Sequence, residues 1–157
     1  MINFQKAFKF GRIFFERVGK SVLKRHRLEI FTKGKNAAGR PFAPYTTAYK
    51  KRKIALGKYR GKVDLKLSGD MEKAFNYVKA TSHGFEYGIT DPKMADRMRF
   101  QGPEKKKKIK VRNTSTKTNP TTPNIQQFIA QEMRNEIIKN FGKEIRRNGM
   151  GYKVYTI

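Results

Sequence analysis

Apolar residues near the start of the chain recur at alternating steps of four and three: Phe4, Phe8, Gly11, Phe15, Val18 and Val22. That spacing puts them on one narrow stripe and predicts a long first helix over residues 2 to about 31. Lys6, Lys9, Arg17, Lys20, Lys24 and Arg27 fall on the opposite side. Phe10, Ile13 and Phe14 lie outside the stripe and suggest a second contact surface, of the kind a neighbouring subunit covers. A second helical pattern comes late. Ile125, Ile129, Met133, Ile137, Phe141 and Ile145 step by four, with Glu132 and Glu136 toward solvent. Thr122-Pro123 opens this helix, Gly142 weakens it and Asn148-Gly149 ends it.

Between these helices the periodicity breaks. Residues 32–38 are polar and contain glycine. Gly39, Pro41 and Pro44 suit neither a helix interior nor a central strand, so residues 39–45 predict an ordered, extended loop with Phe42 and Tyr45 as apolar anchors. Thr46 or Thr47 is placed to cap a short basic helix through Lys53 or a little beyond. Gly57 and Gly61 bracket a flexible link. Residues 68–77 carry a short helical pattern, with Ser68 or Asp70 as cap and Met71, Ala74 and Phe75 facing in. Residues 76–80 and 85–89 are short extended segments separated by Ser82-His83-Gly84, which suits a β-hairpin. Asp91 then caps a short helix with Pro92 at its first position.

Residues 103–119 change character. Lys105, Lys106, Lys107, Lys108, Lys110 and Arg112 sit in or beside a polar Ser/Thr/Asn stretch and predict a basic, flexible arm, or a ribbon through Ile109 and Val111. Residues 152–157 alternate enough to add an edge strand. The pattern as a whole predicts a single α+β domain over residues 1–157. Its small β-sheet is flanked by a long N-terminal helix and a C-terminal helix, with an extended proline loop and a basic arm.

Charge changes the picture most. Lys and Arg number 37 against 12 Asp and Glu, a net charge of +25. Such an excess repels itself and points to a polyanion or an acidic protein surface as partner. Arg17, Lys20, Lys24 and Arg27 make either the solvated face of an ordinary amphipathic helix or a continuous basic rail. Apolar residues make up 37% of the chain, below the roughly 45–50% usual for globular proteins, yet 12 phenylalanines supply a modest core. There is no cysteine, so disulfides and thiolate metal sites are excluded. No apolar run approaches the roughly 20 residues that span a bilayer. Lys6, Lys9 and Arg12 interrupt the first apolar segment, unlike a signal peptide.

Catalytic constellations are absent from the pattern. His26 lies in a basic run and His83 in a turn, both placed to be solvated, and their spacing suits neither a metal pair nor a triad. Asp64, Asp70 and Glu72 are the nearest approach to a two-metal carboxylate site, and they are too scattered to make one. No glycine-rich phosphate loop is present. The expectation is a protein without enzymatic activity, cofactor or metal.

The segment Gly39-Arg40-Pro41-Phe42-Ala43-Pro44-Tyr45, followed by Thr46 or Thr47 and the Lys51, Arg52 and Lys53 cluster, resembles one in a known family. Tailed-phage virion-morphogenesis and tail-completion proteins carry it after a long first helix. Leu67-Ser68-Gly69-Asp70-Met71 is similar to the family's next mark, and Glu86-Tyr87-Gly88-Ile89 to the strand after it. Ala95 with Phe100-Gln101-Gly102 inverts the family's Gln-Phe order, and the Arg usually found ahead of the last helix is missing near residues 120–124. The resemblance spans residues 2–145 in short, degenerate motifs.

It implies a structural, non-enzymatic virion protein of the neck or tail, assembled in the host cytoplasm. Such a protein forms a homo-oligomeric ring, commonly sixfold, at the head–tail junction. It completes the tail, supports head–tail joining and lets double-stranded DNA pass through its lumen. Its partners would be copies of itself, neighbouring neck and tail proteins and non-specifically held DNA, with no membrane. On this reading Arg17, Lys20, Lys24 and Arg27, with Lys105, Lys106, Lys107, Lys108, Lys110 and Arg112, face the DNA lumen or acidic partners. Phe10, Ile13, Phe14, Pro41, Phe42, Pro44 and Tyr45 face other subunits. Two alternatives stand beside it: a free nucleic-acid-binding protein of ribosomal or nucleoid type, and another neck component such as a connector or tail terminator.

Overall fold

A long helix near the N-terminus, α1, runs from Arg12 to Arg27 and continues as a π-helical turn over Leu28–Thr32. The computed structural model describes residues 6, 8–36, 38–63, 65, 68–99 and 122–147. Several expectations lie outside the described residues: the place of Phe4 in the stripe, the arm at residues 103–119, the strand at 152–157 and the helix end at Asn148-Gly149.

The buried row of α1 is not the one its spacing suggested. Phe14, Val18, Val22 and His26 are buried at steps of four, and Ile30 continues the row into the π-helical turn. Phe8 and Gly11 precede the helix, and Phe8 is 61% exposed. The correction has a simple cause. The helix begins at Arg12 and packs along its i, i+4 ridge, so Phe14 enters the core while Phe15 rests at its margin. In the π-helical turn, the Lys33 N–H donates to the Leu28 carbonyl at 2.8 Å, five residues back. The widened turn brings three successive side chains, Glu29, Ile30 and Phe31, into the interior.

The loop after α1 is ordered, though only its second half is extended. Asn36 Oδ1 accepts from the Ala38 and Arg40 N–H groups, each at 3.0 Å, and so draws Arg40 back onto Asn36 in a tight turn. Gly39 supplies the turn's positive φ of 74°, and Lys35 bridges Pro41. Phe42 N–H donates to Gly34 C=O at 2.7 Å, and the Phe42 ring is buried. Gly34 is required here, because a Cβ at its position would lie 1.9 Å from the Val63 carbonyl oxygen. Thr46 then caps α2, Thr47–Ala55, its hydroxyl accepting from the Tyr49 N–H at 3.4 Å.

A single short turn, α3, covers Asp70–Ala74 and is shorter than residues 68–77 suggested. The aromatic and β-branched run from Phe75 onward joins strand β1, Phe75–Ala80, because β2, Phe85–Ile89, offers it an antiparallel partner. The two strands form the hairpin expected, with a bulge at Asn76. Asp91 caps α4, Pro92–Arg99, accepting from the Lys93 and Met94 N–H groups at 2.8 and 3.2 Å. The last helix, α5, spans Pro123–Arg147 and passes through Gly142 without interruption.

The fold is thus α+β: a two-stranded antiparallel sheet flanked by an N-terminal and a C-terminal helix. Gly19 lets α1 lie directly on the hairpin, where a Cβ would meet Val78 Cγ1 at 2.9 Å and the Phe85 ring at 3.0 Å. One core cluster joins Phe14, Val18 and Val22 to Ile125 of α5. A second joins Ile30, Phe31, Phe42 and Phe75. Tyr87 packs against both and ties them together. Each fully buried large apolar side chain contributes about 1.5–3 kcal/mol, so these two clusters supply most of the driving force for a small core.

Candidate functional site

Helices α1 and α5 run antiparallel. Arg17 meets Glu132 and Glu136, Arg25 meets Phe128, and the Lys9 carbonyl accepts from Asn140 Nδ2 at 3.3 Å. Between them, at the C-terminal half of α1, lies an open groove of about 900 Å³. All four rail residues line it: Arg17, Lys20, Lys24 and Arg27. So do the apolar side chains of Leu23, Leu28 and Phe128, with Glu72 and Glu132 as its acidic members.

The rail is not electrostatically uniform. Arg17 Nη1 lies 2.6 Å from Glu132 Oε2, and Nη2 lies 3.5 Å from Glu136 Oε2. Both glutamates were expected to face solvent; the antiparallel docking of α5 turns them onto Arg17 instead. Lys20 pairs with Glu16 at 2.6 Å. That hydrogen bond first, and the Lys20 charge second, hold the Glu16 carboxyl below the usual carboxylate range. Lys24 and Arg27 form no ion pair among the described residues. Arg25 stands with its guanidinium 4.0 Å from the centroid of the Phe128 ring. The available positive charge is therefore gathered at Lys24, Arg25 and Arg27, around an apolar floor.

Leu23, Arg25, Leu28 and Phe128 line the groove but stand out in no sequence pattern. Arg25 adjoins the rail but falls off its three- and four-residue spacing. Phe128 sits three residues after Ile125, outside the four-step row, and only a wider helical face would have included it. Lys105, Lys106, Lys107, Lys108, Lys110 and Arg112 lie outside the described residues.

The residues expected to face other subunits divide. Phe14 and Phe42 are each only 6% exposed, and this corrects their assignment to an interface: their rings fill the chain's own two core clusters. Phe10 is partly buried, with its ring centroid 4.9 Å from that of Phe14. Tyr45 stacks edge-on against Tyr49 and lies 3.3 Å from the buried Lys53 amine. Ile13 is 83% exposed, and Pro41 and Pro44 are also exposed. After the loop, α2 presents Lys50, Lys51, Arg52 and Ile54 to solvent, and Leu56 just past its end is exposed as well.

No family, curated protein or solved structure matches this chain.

On the inner side of α1 the polar groups are buried and paired. His26, expected in solvent, is 2% exposed, with Nδ1 2.9 Å from the Tyr87 hydroxyl and Phe75 edge-on to its ring. Its position in the four-step row overrides the basic run around it. Glu29 accepts a hydrogen bond from the Thr122 hydroxyl, which joins the end of α1 to the start of α5. Burial, and secondarily the Glu29 charge, push the Tyr87 hydroxyl well above the ordinary tyrosine range, so it keeps its proton. His83 is exposed in the hairpin turn, as expected. Among the described residues no three His, Asp or Glu side chains converge as metal ligands, and no helix is long and apolar enough to cross a membrane.

Proposed function

We propose that this chain is a structural component of the neck or tail of a tailed-phage particle. It assembles with copies of itself into a ring, commonly sixfold in the family it resembles, that completes the tail and supports head–tail joining. The observation that carries this reading is the pinned proline loop. Asn36 fixes its turn, Phe42 locks it to the core, and Thr46 starts a helix whose Lys50, Lys51, Arg52, Ile54 and Leu56 all face outward. A loop anchored so firmly, ending in a helix that exposes charge and apolar surface together, is suited to assembly. Pro41 and Pro44, exposed on the same loop, extend the candidate contact surface.

The basic surfaces serve the particle in this reading. They meet DNA passing through the ring without reading its sequence, or they meet acidic faces of neighbouring neck and tail proteins. No catalysis, cofactor or membrane is involved, and the site of action is the virion.

Light scattering on the nuclease-treated protein tests the proposal. The expected result is a closed oligomer whose mass is unchanged by nuclease and which copurifies with tail proteins. A monomer with duplex affinity that falls steeply with salt would overturn it and favour a free nucleic-acid-binding protein.

A further inference from the structure

We infer that the groove between α1 and α5 receives an acidic, amphipathic segment of a partner protein, seated with its apolar side on Leu23, Leu28 and Phe128. This rests on the virion reading only for the partner's location and names the chemistry of one contact within it. Three features carry it. The first is charge. Lys24 and Arg27 form no ion pair among the described residues, and Arg25 is held in place on the Phe128 ring. A guanidinium supported in this way offers a planar fork of donors suited to a carboxylate.

The second is the floor. Leu28 is 44% exposed at the groove, which Leu23 and the part of Phe128 not covered by Arg25 also line. A nucleic-acid backbone presents phosphates and sugars and gains little from an apolar floor, whereas a peptide with Leu or Phe anchors covers it. The third is the disposition of acids. Glu132 and Glu72 line the groove near its cations, and Arg17 and Lys20 are already engaged by Glu132, Glu136 and Glu16. A uniformly anionic polymer lying along the whole rail would run past these carboxylates. A short segment with its own acids localised over Lys24, Arg25 and Arg27 would not.

The chain's longer stretches outside the described residues do not fit this description. Residues 103–119 carry Glu104 against Lys105, Lys106, Lys107, Lys108, Lys110, Arg112 and Lys117, and residues 148–157 contain no Asp or Glu. The occupant therefore comes from another protein.

The probe is a labelled synthetic helix of about four turns, with Leu along one face and Glu along its flanks. A Glu→Gln version, a Leu→Ser version and a short DNA duplex serve as comparisons, each titrated into the full-length protein. Only the Leu/Glu peptide should bind tightly, and both altered peptides should bind at least about tenfold more weakly. Leu28→Ser should weaken that peptide by about tenfold and leave duplex binding unchanged, while Lys24→Glu with Arg27→Glu should abolish peptide binding. Leu28 and Lys24 are exposed and Arg27 is half-buried, so these variants should fold, and circular dichroism verifies it. The inference is overturned if Leu28→Ser leaves peptide affinity unaltered, or if duplex competes for the groove and is weakened equally by Leu28→Ser. Either failure leaves the oligomer measurement untouched, so the two readings fall separately.

Discussion

The two sides of α1 carry polar residues drawn from the same short stretch, yet they are in opposite physical situations. On the inner side, His26 and Glu29 are buried and paired with Tyr87 and Thr122. On the outer side, Lys24 and Arg27 stand at an open groove without an ion-pair partner among the described residues. A buried polar group that loses its partner pays its full desolvation cost, while an exposed charge remains solvated by water. The inner residues are thus committed to stability, and the outer ones are free to bind. The contrast also shows why charge density alone is a poor guide: of the four successive residues Lys24 to Arg27, three line the groove and His26 is buried in the core.

The sharpest way to break the comparison is to remove packing on the inner side. Phe31→Ala, at a ring that is 1% exposed, should destabilise the protein by about 3–5 kcal/mol, read by denaturant unfolding. A cost under about 1 kcal/mol would mean that the π-helical turn does not anchor the second cluster.

A smaller effect is expected from Tyr87→Phe, which removes the hydroxyl beside His26 Nδ1 and should cost about 1–2 kcal/mol at neutral pH. Its alkaline behaviour is more telling. Tyrosine ordinarily titrates near 10.0, and burial raises the Tyr87 value in the folded state. Below pH 10 both states hold the proton, and the stabilisation is complete. Above it the unfolded chain releases the proton before the folded one, so stability is lost as pH rises, by up to about 1.4 kcal/mol per pH unit. Unfolding curves of the Tyr87→Phe variant should be less steep in that window. Identical pH slopes would remove Tyr87 from the account.

The smallest effects belong to the groove. Arg17→Met should cost no more than about 1 kcal/mol, because its side chain is 53% exposed despite two carboxylate partners. Lys24→Gln and Arg27→Gln should alter stability by less than about 0.5 kcal/mol while weakening anionic ligands. A larger stability loss from Lys24→Gln than from Arg17→Met would collapse the division between the two sides.

Local signals in the sequence were sufficient wherever a residue acts on its near neighbours. Thr46 and Asp91 cap the helices they precede, residues 76–80 and 85–89 pair as a hairpin, and the class is α+β with helices flanking the sheet. These outcomes depend on backbone geometry and short-range hydrogen bonds, which the residue order specifies directly. The tertiary structure alone decided which face of α1 is inner. Helical periodicity fixes relative angles around an axis but not where the helix begins or which partner it meets. Starting at Arg12 and resting Gly19 on Val78 and Phe85 sent Phe14 and His26 inward and left Phe8 and Ile13 outside. The same holds for the basic rail. Its residues were legible as a row. Lys20 is neutralised locally by Glu16, but that Arg17 is neutralised by Glu132 and Glu136, and the second half of the rail left open over Phe128, follows from the antiparallel register of two helices more than a hundred residues apart in sequence. No local pattern encodes that register, because it is set by how the side chains between the helices pack.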